Sequence, residues 1–137
     1  MFDLTVNKDQ YCVFASSVDT EVVKEFLDNN NIGFKELQGC YKGVEEDSFI
    51  INIDFMHYVK LAGILDGEES VLILDQEDGG KRPAYLLYMK DYYAFERDND
   101  DSVLQSIGRM QEVPEEVAKA ADAYSYRPDL GKYFLAA

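Results

Sequence analysis

Ser70-Val71-Leu72-Ile73-Leu74 is a run of β-favouring residues without the apolar–polar alternation of a half-solvated strand. Such a run suits a strand covered on both faces, or one lying at a subunit interface. Upstream of it, Asp54 has the character of a helix N-cap, and Phe55, Tyr58, Val59, Ala62 and Leu65 recur at helical spacing, weakened by Gly63. Before that helix, residues 48–53 alternate, with Phe49, Ile51 and Ile53 on one face. Phe34 to Lys42 reads as the preceding strand, with Leu37, Gly39 and Tyr41 on one side. Asn29-Asn30-Asn31 and Gly33 end an earlier helix that Asp19 or Thr20 caps and that Val22, Val23, Phe26 and Leu27 make amphipathic. Tyr11 to Ser16 is a first strand. The order through Leu74 is βαββαβ, which predicts a ferredoxin-like α+β sandwich.

Downstream the signals change. Asp75 to Arg82 is a charged turn carrying Gly79-Gly80. Ala84 to Tyr88 and Tyr92 to Phe95 read as an added β-hairpin around Lys90-Asp91. Asp98 to Arg109 reads as a polar loop, expected to be poorly ordered until it closes over a ligand. Pro114, followed by Glu115 and Glu116, opens a C-terminal helix. Tyr124 to Ala137 reads as a packed tail. There is no internal repeat, and residues 1–137 read as one domain.

The 137 residues carry 27 acidic and 13 basic side chains, a net charge of −14. That charge opposes phosphate-directed binding of nucleic acid and docking on anionic membranes. It favours cationic ligands. No secretory signal and no apolar membrane span is visible, so a cytoplasmic location is expected. Cys12 and Cys40 are too few for a disulfide framework or a structural zinc site.

The sequence has no phosphate-cradling glycine motif. His57 is the only histidine, which excludes histidine-rich metal sites and leaves little for a histidine-based triad. The acidic clusters at Glu45-Glu46-Asp47, Glu68-Glu69, 75–78 and 98–101 lack calcium-loop spacing. The 10 tyrosines carry more information, because aromatic faces beside carboxylates suit a desolvated cation such as a sulfonium.

Three segments together resemble the phage S-adenosylmethionine (SAM) lyases, long described as SAM hydrolases. They are Leu37-Gln38-Gly39-Cys40-Tyr41-Lys42, then Glu68-Glu69-Ser70-Val71-Leu72, then Met110-Gln111-Glu112-Val113-Pro114. Their order and spacing, with a tyrosine-rich hairpin between the second and third, carry the resemblance over roughly residues 34–115. It implies a PII-like homotrimer with active sites between subunits, no metal and no cofactor. It also implies depletion of SAM in the host cytoplasm during infection, which starves SAM-dependent restriction.

The implied reaction needs no enzyme base. The methionyl carboxylate of SAM, already ionised at neutral pH, closes a lactone on its own Cγ and expels 5′-methylthioadenosine. Orientation of such an intramolecular attack supplies about 7–11 kcal/mol. On this reading Glu69 and Tyr58 form the catalytic pair, Glu69 by matching the acidic family position and Tyr58 by helix spacing. Glu69 would hold the substrate ammonium or face the sulfonium. Tyr41 and Lys42 would contact the adenosine or the carboxylate, with Glu46, Ser48 and Glu112 as further substrate contacts. Competing readings are a hydrolase that yields homoserine, a PII-like nucleotide-binding module without chemistry, and an acidic DNA mimic. The mimic predicts carboxylates spaced like phosphates on one face, whereas these acids cluster in turns.

Overall fold

The computed structural model describes residues 11–15, 19–52, 65, 67–75, 79–98 and 100–137. Its strands are β1 (Tyr11–Ala15), β2 (Phe34–Tyr41), β3 (Val44–Asn52), β4 (Ser70–Leu74), β5 (Arg82–Tyr88), β6 (Gln105–Val113), β7 (Ala123–Arg127) and β8 (Lys132–Ala136). They close into a barrel in the order β1-β3-β2-β7-β8-β6-β5-β4, every neighbouring pair antiparallel.

This overturns the expected ferredoxin-like sandwich. β4, β1, β3 and β2 are contiguous, but they make half of a closed wall rather than a complete open sheet. The other half comes from segments that read as something else. The expected hairpin turn at Lys90-Asp91 is a 3-10 turn, Met89–Asp91, and the expected second strand, Tyr92 to Phe95, lies in a helix, Tyr92–Asp98. Residues 105–109 of the expected polar loop belong to β6, and the expected tail holds the β7–β8 hairpin. The helix expected from Asp54 to Leu65 lies outside the described residues except at Leu65, which is buried.

Alternation along the strands sorts side chains between two clusters. Tyr11, Val13, Leu37, Ile50, Leu74, Ala84, Met110 and Phe134 come from seven strands and fill the lumen. An eight-stranded barrel encloses just enough room for such a filling. Cys12, Phe14, Phe49, Ile51, Val71, Ile73 and Leu87 point outward from β1, β3, β4 and β5, against Val23 and Leu27 of helix α1 (Thr20–Asn29) and Tyr92 of the later helix. Phe49 meets Phe14 and Phe34 with ring centroids 5.8 and 5.9 Å away. Burial at Cys12 pushes its thiol far above the usual range, so it behaves as a small apolar side chain.

Local chemistry fixes the ends of α1 as the sequence predicts. The Asp19 carboxylate accepts from the Glu21 N–H at 2.9 Å. After the last turn Asn31 takes φ 57°, and the Ile32 N–H donates to Leu27 O at 2.9 Å. Lys24 then ties the helix to β2 through Glu36, 2.9 Å away.

Closure of the barrel depends on one glycine. Gly108 sits at φ 103° beside a register shift between β5 and β6, and a Cβ there would lie 2.5 Å from the Ala137 carbonyl carbon. The close approach lets Arg109 and Ala137 exchange backbone hydrogen bonds of 3.0 and 3.1 Å. Any side chain at position 108 would force this β6–β8 pairing apart.

Candidate active site

A cavity of about 470 Å³ opens at the barrel end where β4 begins, β5 ends and β6 begins. Glu68, Glu69, Tyr88, Met89, Lys90 and Gln105 line it. The volume is within the range of small-molecule sites. Its walls are set by backbone: Gly67 turns at φ 86°, Glu68 N–H donates to Leu65 O at 3.0 Å, and Ser70 pairs with Tyr88 across the β4–β5 ladder. Met89 N–H donates to Glu69 O at 2.9 Å, which ties the 3-10 turn to the entry of β4. Glu68, Tyr88 and Met89 are half-buried, and Glu69, Lys90 and Gln105 are exposed. Two carboxylates, a tyrosine ring, a thioether, an ammonium and an amide therefore converge. That set offers anionic and cationic partners side by side.

Of the residues singled out from sequence, this cavity contains Glu69. Tyr58 lies outside the described residues, as does His57. Tyr41, Lys42, Glu46 and Ser48 belong to the β2–β3 hairpin, which projects past Ala15 at the same end of the barrel. Tyr41 is 59% exposed, with Lys42 Nζ 5.4 Å from its ring centroid. Lys42 and Gly43 both have positive φ, 50° and 83°, the two-residue turn that suits a tight hairpin. The Gly-Cys-Tyr-basic element is thus the tip of this hairpin.

Ser48 is buried and lines a second cavity of about 300 Å³ with Glu36, Gln38 and Asp47. A Cβ on Gly39 would come within 3.0 Å of Ser48 Oγ, so glycine leaves the hydroxyl its place. Asp47 accepts from Thr20 Oγ1 at 3.0 Å, and Glu46 is exposed beside it. Glu112 is on β6 with Lys132 Nζ 3.3 Å away, toward the opposite end of the barrel. It stands seven residues beyond Gln105, about 23 Å along a strand that rises roughly 3.3 Å per residue. Within the chain the hairpin tip, the Glu69 cavity and Glu112 occupy separate places.

Sequence reasoning missed Tyr88, Met89, Lys90 and Gln105 as a group. Pairing the two apolar runs Ser70–Leu74 and Ala84–Tyr88 as neighbours would have found Tyr88 opposite Ser70. Gln105 had no such signal, because the start of β6 reads as loop. Among the described residues no cluster of three or more histidine, cysteine, aspartate or glutamate side chains is placed to hold a metal ion.

Fold and cavity together describe a small antiparallel barrel with a cavity on its rim lined in part by two carboxylates. The chain belongs to the S-adenosylmethionine lyase family, whose model matches residues 8–137. It is by family a carbon–sulfur lyase acting on SAM. No curated protein matches it.

Proposed function

We propose that the chain cleaves SAM to 5′-methylthioadenosine and L-homoserine lactone, and that the resulting depletion of SAM acts against restriction in the host cytoplasm. The observation that carries this reading is the pair Glu68 and Glu69 at the mouth of β4, inside the 470 Å³ cavity and beside the Tyr88 ring. One SAM carboxylate oxygen attacks Cγ, the Cγ–S bond breaks toward sulfur, and the sulfonium becomes a neutral thioether. No proton moves.

The enzyme's work is to hold the folded conformer and keep water from Cγ. Glu69 serves this by orienting the substrate ammonium. A carboxylate pressed against the sulfonium would favour the charged ground state over a transition state that is losing that charge. Tyr88 offers an aromatic face to the sulfonium methyl group. Tyr58 remains the proposed partner of Glu69.

The reading includes a homotrimer in which one subunit completes the next subunit's site. Tyr41 and Val44 stand opposite each other near the hairpin tip, 59% and 61% exposed. A neighbour seated there would cover them and bring Tyr41, Lys42 and Glu46 toward a second cavity. β4 is paired on both sides within the barrel, so such an assembly would use side-chain surfaces and not strand edges.

The test is incubation with SAM followed by mass spectrometry of the early products. Methylthioadenosine with homoserine lactone supports the proposal; unchanged SAM defeats it. Glu69→Gln should lower turnover by about 10²–10³, the scale of losing one preorganised polar group.

A further inference from the structure

We infer that Lys90 binds the α-carboxylate of the substrate and makes the rim cavity selective for a zwitterionic amino-acid end; the inference rests on the SAM-cleaving reading of the same cavity. Among the described lining residues Lys90 is the cation, beside two carboxylates, a tyrosine, a methionine and a glutamine. Its position is set by the fold. It is the middle residue of the 3-10 turn Met89–Asp91, and the residue before it donates its N–H to the carbonyl of Glu69 at 2.9 Å. Ser70, next to Glu69, pairs directly with Tyr88, two residues before Lys90. The ammonium and the Glu69 carboxylate are therefore carried on neighbouring backbone segments at one cavity mouth.

The ion pairs formed among the described residues engage Lys24, Lys119, Arg127 and Lys132, and not Lys90. An α-amino acid places an ammonium and a carboxylate on one carbon, so it satisfies both arms of the cavity at once. Held this way, the carboxylate keeps one oxygen on Lys90 while the other is turned toward Cγ. That oxygen forms the new bond as the sulfur leaves with the electron pair of the broken one. Lys90 gives up no proton; because the carboxylate loses its charge as it attacks, the ammonium contributes by binding and aiming the nucleophile and not by stabilising the transition state electrostatically.

A carboxylate-specific contact predicts a ligand-specific loss. The probes are S-adenosylhomocysteine, which keeps the amino-acid end but has no sulfonium to cleave, and 5′-methylthioadenosine, which lacks that end. Calorimetric titration of Lys90→Met should show the first bound about 10- to 100-fold more weakly, the scale of one charge-assisted hydrogen bond. The second should bind as it does to the unaltered protein. Lys90→Arg should recover most of the lost affinity, with a lower kcat on SAM because the planar fork aims the carboxylate differently.

Equal weakening of both probes, or no weakening of either, overturns the assignment while leaving SAM cleavage by the unaltered protein intact. Failure of the unaltered protein to cleave SAM would remove the underlying reading, and this inference with it. Lys90 is exposed, so Lys90→Met should fold normally, and an unchanged thermal midpoint shows that the probes are reporting binding.

Discussion

The two halves of the barrel wall are built differently. Apart from the exposed β3 arm Val44 to Asp47, the wall β3-β1-β4-β5 is covered on both faces, its outward side chains Cys12, Phe14, Phe49, Ile51, Val71, Ile73 and Leu87 each at most 2% exposed under a helical layer. The wall β2-β7-β8-β6 carries on its outer side half-exposed tyrosines, Tyr124, Tyr126 and Tyr133, and a five-residue helix, Glu115–Lys119. Tyr133 lies 4.6 Å from Tyr126 and 5.9 Å from Tyr124, centroid to centroid. The first wall holds the fold; the second closes it. The cavity sits where they join, since Glu69, Tyr88 and Lys90 come from the covered wall and its following turn, and Gln105 from the bare one.

Five substitutions test this contrast. Phe49→Ala should be the most damaging, costing about 3–5 kcal/mol because its ring contacts cannot be refilled by a helix-backed wall. Tyr133→Ala on the bare wall should cost much less, and equal losses in chemical denaturation would erase the distinction. Next comes Glu69→Gln at the junction. Its fall in turnover of about 10²–10³ should leave the thermal midpoint unchanged, as the side chain is exposed. A drop in stability with activity retained would make Glu69 a structural residue.

A smaller effect is expected at the β7–β8 turn. Arg127 is buried, and its guanidinium grips Asp129 with bonds of 3.1 and 2.6 Å. That grip holds the Asp129 carboxyl below its usual range. A depressed carboxyl contributes stability that is complete above the unfolded value, about pH 4, and is lost as pH falls through the folded value. Because Asp129 is half exposed, the contribution is about 1 kcal/mol. Asp129→Asn should remove it at neutral pH and flatten the acid limb of the stability–pH curve; an unchanged acid limb would show that the pair contributes nothing.

The smallest change has the opposite sign. Lys42 holds φ 50°, a conformation that costs most side chains about 1 kcal/mol and asparagine less. Lys42→Asn should therefore stabilise the protein by about 0.5 kcal/mol, after loss of the weak contact with Tyr41. If the hairpin tip serves a neighbouring site, turnover falls in the same variant; unchanged turnover would detach the tip from the reaction.

The same contrast explains what the sequence revealed. Strands buried on both faces announce themselves: Tyr11–Ala15 and Ser70–Leu74 were legible as apolar runs, and residues 48–52 as part of an alternating strand. β6 was not. Of Gln105–Val113 only Met110 is buried, so polar and glycine residues on a one-sided strand read as a loop. The β7–β8 hairpin did carry a signal, the turn Pro128-Asp129-Leu130-Gly131, where Gly131 takes φ 65° and donates its N–H to Arg127 O at 2.8 Å. Reading that turn would have replaced a tail by two strands and raised the question of closure. Ring closure itself is a long-range property that no local pattern in these strands encodes. Glu69 was singled out by its match to the family's acidic position and lines the rim cavity, whereas Lys90 and Gln105 needed the closed barrel to come together.

Cleavage in water enriched in ¹⁸O tests most directly whether the substrate's own carboxylate is the nucleophile. Intramolecular attack predicts unlabelled homoserine lactone at early times. Any homoserine formed later by opening of the lactone should carry ¹⁸O in its carboxylate and none in its hydroxyl. Label in the hydroxyl oxygen of homoserine would mean that water attacked Cγ, and would contradict the intramolecular mechanism.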